Sequence, residues 1–522
     1  MKPCTVAFIV AEMMIPELGK FACNGNFRGG LGDLSGHIPD GMAGRGVKVL
    51  PITYFYPTHW QTREPINYHH TPAQWLFDLD VDIHFGRRTV PIFGIGRAGA
   101  WAYGINDPCA GYLYPGNSEK KIDQAAFLGR AVPALLKRLG QKPDIMWCQE
   151  WMAGLVIPNM RDDPYFDDTK YLFTIHTTVR EALETFPAEW YGKTAVDGRH
   201  CEDYIRNGNG RIDISFGSVK QAHRITGVSE ENGEVLRAMF PEAARENKIS
   251  GIMNGVSRNF MLSPHIKALG DNPTPEGLWG AHLQDKQELL QYIQAKTGMA
   301  FNPQKPLVGL VRRLATYKNQ KPMFEKIVEA ICSDRDETAN GREGLATNLF
   351  IGGIAHEDDG ECRQWMSEFA EWMKNPHLRG RFVYIPEYSE RIRTLAVRGS
   401  DTWVSCPQLR LEACGTSDFG AKMNGNPNIA SRTGGIREHG KEINFETGEG
   451  DTLFIEPYNS ATLYLQLKRM TGRMYDFLEN GNGSWLTIRA NNFLGGKELD
   501  VAHMIEKYEK LCFEPLLEQD PA

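Results

Sequence analysis

Two cations stand five residues apart in Val311-Arg312-Arg313-Leu314-Ala315-Thr316-Tyr317-Lys318, just after an apolar run that reads as a strand. At a strand-to-helix turn, Arg313 and Lys318 can converge on a phosphate and stabilise the charge it carries as it departs. A solvated basic turn is the plainer alternative. Arg28-Gly29-Gly30-Leu31-Gly32-Asp33-Leu34 offers another kind of anion site. Its glycines let backbone approach a ligand, and the helix that follows presents free N–H groups. The spacing misses G-x-G-x-x-G, so a dinucleotide is not inferred. His176 ends another strand-like run, a position where a histidine is more often structural than catalytic. Asp78, Asp80 and Asp82 have the D-x-D spacing of a metal site, but they alternate with Phe77, Leu79, Val81 and Ile83. That period marks a half-exposed edge strand, and no catalytic metal is expected.

These residues need a scaffold, and the pattern around them is α/β. Val47 to Ile52, Asp144 to Trp147, Tyr171 to Thr174 and Arg224 to Val228 read as strands in the first half. Helical patterns at Asp123 to Leu139 and Ser229 to Met239 lie among them. Pro306 to Val311, Thr347 to Ile351, Arg381 to Ile385 and Asp401 to Ser405 repeat the theme in the second half. Alternation of this kind predicts parallel sheets wrapped by helices, with ligands at the carboxyl ends of the strands. Phe77 to Phe85 turns through Gly86-Arg87-Arg88 into Thr89 to Ile95, an antiparallel hairpin at a sheet edge. The turn-rich stretch around Ser263-Pro264 and Asn272-Pro273-Thr274-Pro275 separates the halves. We therefore expect an N-terminal domain over 1–265, a C-terminal domain over 266–475, and a helical segment over 476–522 that packs back on the first.

The chain of 522 residues suits two large domains, and 41% hydrophobic with 24% charged residues fits a globular protein. A net charge of −7 gives no reason to expect nucleic acid or an anionic membrane as partner. Val6 to Ala11 is too short to span a bilayer, and it lacks the flanks of a signal peptide. Ten cysteines without paired spacing point to a reducing cytoplasm rather than to disulfides or zinc. Homo-oligomerisation stays open.

Fifteen residues, Phe173-Thr174-Ile175-His176-Thr177-Thr178-Val179-Arg180-Glu181-Ala182-Leu183-Glu184-Thr185-Phe186-Pro187, closely resemble a segment of the α-glucan phosphorylases. Glu412-Ala413-Cys414-Gly415-Thr416-Ser417-Asp418-Phe419-Gly420-Ala421-Lys422-Met423-Asn424-Gly425 resembles the sugar-phosphate signature of phosphorylases and glycogen synthases. Asn24 to Leu34 looks like the glycine loop of both families, with Arg28 where synthases usually have lysine; Ser431-Arg432-Thr433-Gly434-Gly435 matches the synthases better. The resemblance covers most of residues 4–440. It implies a GT-B fold, two Rossmann-like doubly wound domains facing each other across a cleft. It also implies that His176 lies beside the transferred sugar and Glu412 holds the sugar hydroxyls at C3 and C4. Arg313 and Lys318 would hold phosphate, with Arg312 as a helper. Arg28, Gly29, Gly30, Gly32, Cys414, Gly415, Thr416 and Ser417 would surround the donor, the last three opening a helix towards a phosphate. Tyr388 would border the nucleotide base. Gln149-Glu150-Trp151 reads as a supporting motif.

One position separates the two families. Where a phosphorylase carries the lysine that holds pyridoxal phosphate, this chain has Gly420, which has no amine for a Schiff base. Lys422 lies about 200° further round the helix and should face elsewhere. The resemblance then implies a retaining transferase without a cofactor, moving glucose from ADP- or UDP-glucose to an α-glucan or small sugar by front-face substitution. A phosphorylase releasing glucose 1-phosphate and a catalytically silent sugar-binding protein are the alternatives.

Overall fold

The computed structural model describes residues 3–19, 29–60, 62–83, 86–97, 99–179, 183–204, 210–333, 345–357 and 359–518. It divides into two compact units, 1–255 with 501–522, and 256–500.

The first unit is built on a nine-stranded sheet. Its strands are β1 (Cys4–Ile9), β2 (Val47–Tyr54), β3 (Gln74–Ile83), β4 (Gly86–Arg97), β5 (Ala100–Ile105), β6 (Ile145–Gln149) and β7 (Lys170–Ile175), with β10 (Arg224–Gly227) and β11 (Ile249–Gly251). The short strands β8 (Thr185–Pro187) and β9 (Arg211–Asp213) pair apart from it. The order is β11-β10-β7-β6-β1-β2-β5-β4-β3. Seven strands run parallel, and the β3–β4 hairpin adds an antiparallel edge. The expected hairpin is there, though His84 and Phe85 lie outside the described residues. Ala7 and Ile9 of β1 enter one apolar cluster, while Val6 and Phe8 enter another. Both faces are thus covered, as a parallel sheet requires.

The second unit holds β12 (Leu307–Val311), β13 (Asn348–Gly352), β14 (Phe382–Ile385), β15 (Thr402–Ser405), β16 (Asn428–Ala430) and β17 (Thr452–Phe454). All are parallel, in the order β14-β13-β12-β15-β16-β17. This is the doubly wound 3-2-1-4-5-6 arrangement, whose strand order reverses between β12 and β15. The region beyond such a reversal is where open α/β sheets bind ligands. In the first unit the same reversal falls between β1 and β6.

The division differs in detail from the expected one. The second unit starts at Val256, not at 266, and the helices Ser460–Asn480 and Ser484–Gly496 belong to it. The turn-rich stretch is internal, because Ser263 N–H donates to Asn424 Oδ1 at 2.7 Å and Ser263 Oγ to Asp285 Oδ1 at 2.8 Å. Thr274 caps the long helix Pro275–Thr297, which begins at the proline of that turn-rich stretch. Only residues from Val501 onward return to the first unit. There the helix Val501–Tyr508 packs against β6, with the Trp147 and Tyr508 ring centroids 4.4 Å apart.

Candidate functional site

In the second unit, the loops after β12 and β15 meet at the switch point. Arg312 leaves the end of β12 and donates to Ser405 Oγ at the end of β15 (2.9 Å) and to Glu412 Oε2 (2.7 Å). Lys318 Nζ reaches the same Glu412 oxygen at 3.0 Å. All three side chains are buried. Burial opposes ionisation of Glu412, yet Arg312 and Lys318 outweigh it and bring the carboxyl down to about 2. Burial and the neighbouring Arg312 charge pull the Lys318 ammonium down to about 7, against the pull of Glu412. Arg313 is half-buried; its charge bears on both Lys318 and Tyr317. The sequence expectation paired Arg313 with Lys318 and made Arg312 the helper. In the folded chain it is Arg312 that shares Glu412 with Lys318, while Arg313 keeps the more exposed position.

Gly415 explains how close this cluster lies to the next helix. A Cβ there would stand 2.9 Å from an Arg312 guanidinium nitrogen and 3.1 Å from Asp418 Oδ1. The helix Ser417–Met423, here α1, opens after Thr416, and Ser417 Oγ accepts from Trp403 Nε1 at 3.3 Å. Cys414 is half-buried, its sulfur against the backbone of Gly435. Gly434 adopts φ 64°, and a Cβ there would meet the Glu412 carbonyl oxygen at 2.6 Å. Gly434 therefore packs directly against the backbone of Glu412, and Gly435 against the Cys414 sulfur, roles their sequence did not announce.

Gly420 is walled into the core of α1. A Cβ would touch Val397 Cγ2 at 3.3 Å and Met261 Sδ at 3.4 Å. Lys422 points away and is committed: its Nζ lies 2.7 Å from Asp451 Oδ2 and donates to the His439 carbonyl at 2.9 Å. Neither position offers a free amine to pyridoxal phosphate, so these residues do not fit that group.

In the first unit, His176 follows β7 beside the end of β6. Its backbone N–H donates to Glu150 Oε1 at 2.5 Å, and its ring Nε2 lies 2.9 Å from Gln149 Oε1. With that oxygen as acceptor, the neutral ring carries its proton on Nε2. Burial lowers the imidazole to about 3, so it is neutral near pH 7. Glu150 has φ 61°, an uncommon conformation for a residue with a side chain, and also accepts from Thr177 Oγ1 at 3.3 Å. Burial raises its carboxyl above the ordinary value despite these donors. The Gln149-Glu150 pair thus grips His176 at two points. Glu12, which merely ended the first apolar run, accepts from Gly29 N–H at 3.3 Å and from the Tyr114 hydroxyl at 2.8 Å. An acid at the exit of the strand beside a switch point was the available signal. Gly29 precedes the helix Gly30–Met42, in which Gly32 is buried and Gly30 exposed. Arg28 lies outside the described residues.

Tyr388 follows β14 and is half-buried, with the Arg393 guanidinium 5.3 Å from its ring centroid. It lies close enough to Arg312 to bear on that residue's ionisation. On the outer hairpin, Asp80 is taken up by Arg87 (2.6 Å) and Thr89 (2.5 Å), and Asp78 by Trp75 (3.1 Å). Among the described residues, His265, Asp285 and Glu288 bring potential metal-ligand atoms within 4.8 Å of one another. There His265 Nε2 is already 2.9 Å from Glu288.

Residues 21–244 match the starch synthase catalytic domain family. The chain is 24% identical to a glycogen phosphorylase of Mycobacterium tuberculosis, over 98% of this chain and 71% of the relative. It is also 24% identical to glycogen synthase 2 of Geobacter sulfurreducens, over 88% of this chain and 90% of that one. The catalytic domain of starch synthase IV from Arabidopsis thaliana, solved with ADP and acarbose, superposes with a TM-score of 0.77 at 17% identity. That match covers 99% of this chain and 100% of the other. Among the described residues, no helix is long and apolar enough to cross a membrane. The chain has the GT-B fold and is similar to the glycogen and starch synthases, and over nearly all of its length to the α-glucan phosphorylases as well.

Proposed function

We propose that the enzyme transfers glucose, with retention, from a nucleotide sugar (ADP- or UDP-glucose) to an α-glucan or a smaller sugar, and that it works in a reducing cytoplasm. The observation that carries this is the convergence of Arg312 and Lys318 on Glu412 at the β12–β15 switch point, with Arg313 beside them. A cation cluster there suits a diphosphate leaving group. On donor binding, Lys318 and Arg313 turn to the diphosphate, and Arg312 keeps Glu412 in place for the sugar hydroxyls. Backbone at Gly415, Thr416 and Ser417 lies alongside the phosphates. Cys414 lines the same loop, and Tyr388 borders the base.

His176, neutral and fixed by Gln149 and Glu150, orients the glucosyl unit. The bond between the anomeric carbon and the diphosphate breaks as the acceptor oxygen bonds to that carbon from the same face. The acceptor proton passes to the departing phosphate oxygen, so the step balances without a side-chain nucleophile. Arg28, Gly29, Gly30 and Gly32 complete the donor loop, and Glu12 steadies Gly29.

Gly420 and Lys422 weigh against the phosphorylase reading, because no amine is presented for pyridoxal phosphate. The free cysteines among the described residues accord with a reducing compartment. The test is incubation of the purified chain with nucleotide sugars, with and without maltodextrin, read by mass spectrometry. Nucleoside diphosphate and an extended acceptor are expected. Phosphate-dependent release of glucose 1-phosphate, with no nucleoside diphosphate from any donor, would overturn the reading. Sugar binding that survives Arg313→Ala, with no turnover at all, would favour a silent binding protein instead.

A further inference from the structure

The opposite edge of the first unit carries a second concentration of cations. The helices Val156–Arg161, Ile214–Gln221 and Pro241–Arg245 all end there, beside the amino-terminal ends of β7 and β10. Between them lies a hollow of about 330 Å³, lined chiefly by Arg161, Lys220, His223, Arg224, Glu246 and Lys248. Four of these are lysines or arginines and one is an acid. Glu246 is paired with Lys248 at 2.5 Å, and Lys220 lies 3.5 Å from Asp203.

Arg161 and Arg224 are different. Among the described residues neither forms an ion pair; each donates to a carbonyl, Arg161 to Gln221 O and Arg224 to Asn247 O, both at 2.9 Å. These contacts offset the negative ends of the helices. A guanidinium has five N–H donors, so most of each remains unused. Arg224 Nε is buried and finds no hydrogen-bond partner among the described residues, an arrangement that is unfavourable unless something accepts from it. His223 supplies one more donor. Its Nδ1 accepts from Tyr171 N–H at 2.9 Å, which leaves the proton of the neutral ring on Nε2. Burial, together with the charges of Arg161, Lys170 and Lys248, holds this imidazole down to about 4. An anion entering the hollow would meet the same positive field.

Helix capping accounts for one N–H of each arginine. It does not account for their gathering with Lys220, Lys248 and His223 around one concavity of ligand size. We propose that this hollow is a second ligand site, which takes the phosphate group of a small phosphorylated molecule through Arg161, Arg224, His223 and Lys248. Guanidinium groups match phosphate geometry with two parallel hydrogen bonds. The ligand is not the reacting donor. β7 runs from Lys170 to Ile175, and at ~3.3 Å per residue this puts the hollow about 17 Å from the His176 end of the strand.

Inorganic phosphate and a phosphate monoester share this chemistry, and the test separates them. Full-length protein with 15N-labelled histidine is titrated from neutral to acid pH at fixed ionic strength. The runs are made without ligand, with inorganic phosphate and with ribose 5-phosphate. The His223 resonance is assigned from His223→Gln. Bound phosphate should raise the His223 midpoint by about one unit or more, as a nearby opposite charge does. Arg161→Gln and Lys248→Gln should each weaken the response roughly tenfold. Lys248 is partly exposed, so its variant keeps the test available if Arg161→Gln fails to fold. Arg313→Gln, which alters the donor site, should leave the His223 response intact. A tighter midpoint for ribose 5-phosphate assigns the site to a sugar phosphate; equal midpoints assign it to phosphate itself. A His223 midpoint that neither ligand moves, or one moved equally in Lys248→Gln, overturns the proposal.

Discussion

At the ends of β12 and β15, two cations close on one carboxylate and a third stands beside them. At the ends of β6 and β7, a neutral imidazole is held by an amide and by a carboxyl group whose own ionisation is disfavoured. Both sites sit beside strands at a reversal in strand order, so topology alone does not tell them apart. Charge does. A leaving diphosphate gains negative charge during transfer and needs cations that are already in place. A sugar is neutral, and it is best held by fixed hydrogen bonds that need no counter-charge. On the proposed function, the contrast assigns departure of the leaving group to the cations of the second unit and orientation of the sugar to the neutral imidazole of the first.

Lys318→Ala tests that contrast hardest. Removing a preorganised charge from a transition state should lower kcat by about 10²–10³-fold. The loss should appear in nucleoside diphosphate release. If His176→Asn costs kcat more than Lys318→Ala does, the assignment of charge work to the second unit fails. The same lysine sets a pH limit. With its ammonium pulled down to about 7, the free enzyme loses a protonated Lys318 as pH rises above that value. kcat/KM for the donor should therefore fall on the alkaline side in the wild type, and Lys318→Arg should remove that fall.

Glu412→Gln isolates the counter-charge. It leaves Arg312 and Lys318 buried without their shared carboxylate, which should cost stability on the order of 3 kcal/mol, read by urea denaturation near pH 7. Gly420→Lys should cost about 1–3 kcal/mol by overpacking against Val397 and Met261. It should not produce the absorbance band of bound pyridoxal phosphate; a band would mean that α1 can reopen to a cofactor.

The runs around Glu412, Arg313 and His176 were legible because each is a continuous string of chemistry-bearing residues. What joins them was not. Arg312 binds Ser405 and Glu412 across 93 and 100 residues of chain, and no local pattern encodes which of two adjacent arginines turns inward. Gln149 and Glu150 could be read as a polar strand end. Their grip on His176 depends on β6 and β7 being neighbours. The strand–helix alternation was readable from apolar runs. β16 and β17, three residues each, carry too little pattern to stand out. Thr274-Pro275 reads as a boundary in the sequence because a helix cap and a linker use the same residues.

Acid denaturation distinguishes the two sites in a single measurement. Glu412 has its folded value depressed from 4.5 to about 2, so its stabilisation is complete above 4.5 and is lost as pH falls towards 2. His176 is depressed from 6.5 to about 3. Between those values the unfolded chain binds the extra proton, so stability is lost as pH falls from 6.5. His176→Asn should flatten the stability curve from 6.5 downward. Glu412→Gln should flatten it only below 4.5. If both variants change the same window, the neutral and charged sites are not electrically independent.

The smallest effect belongs to the outer hairpin, where carboxylates also cluster. Asp78, Asp80 and Asp82 lie on β3, the edge strand, with their side chains on its exposed face. Asp80 already bonds Arg87 and Thr89, and an exposed pair of this kind adds little stability because water screens it. Replacing all three by asparagine should leave donor turnover, its response to EDTA and the thermal midpoint unchanged within error. A loss of turnover that added Mn²⁺ restores would show that these carboxylates hold a working metal. Carboxylates would then serve the transfer through metal binding on an edge strand, as well as through the buried Glu412.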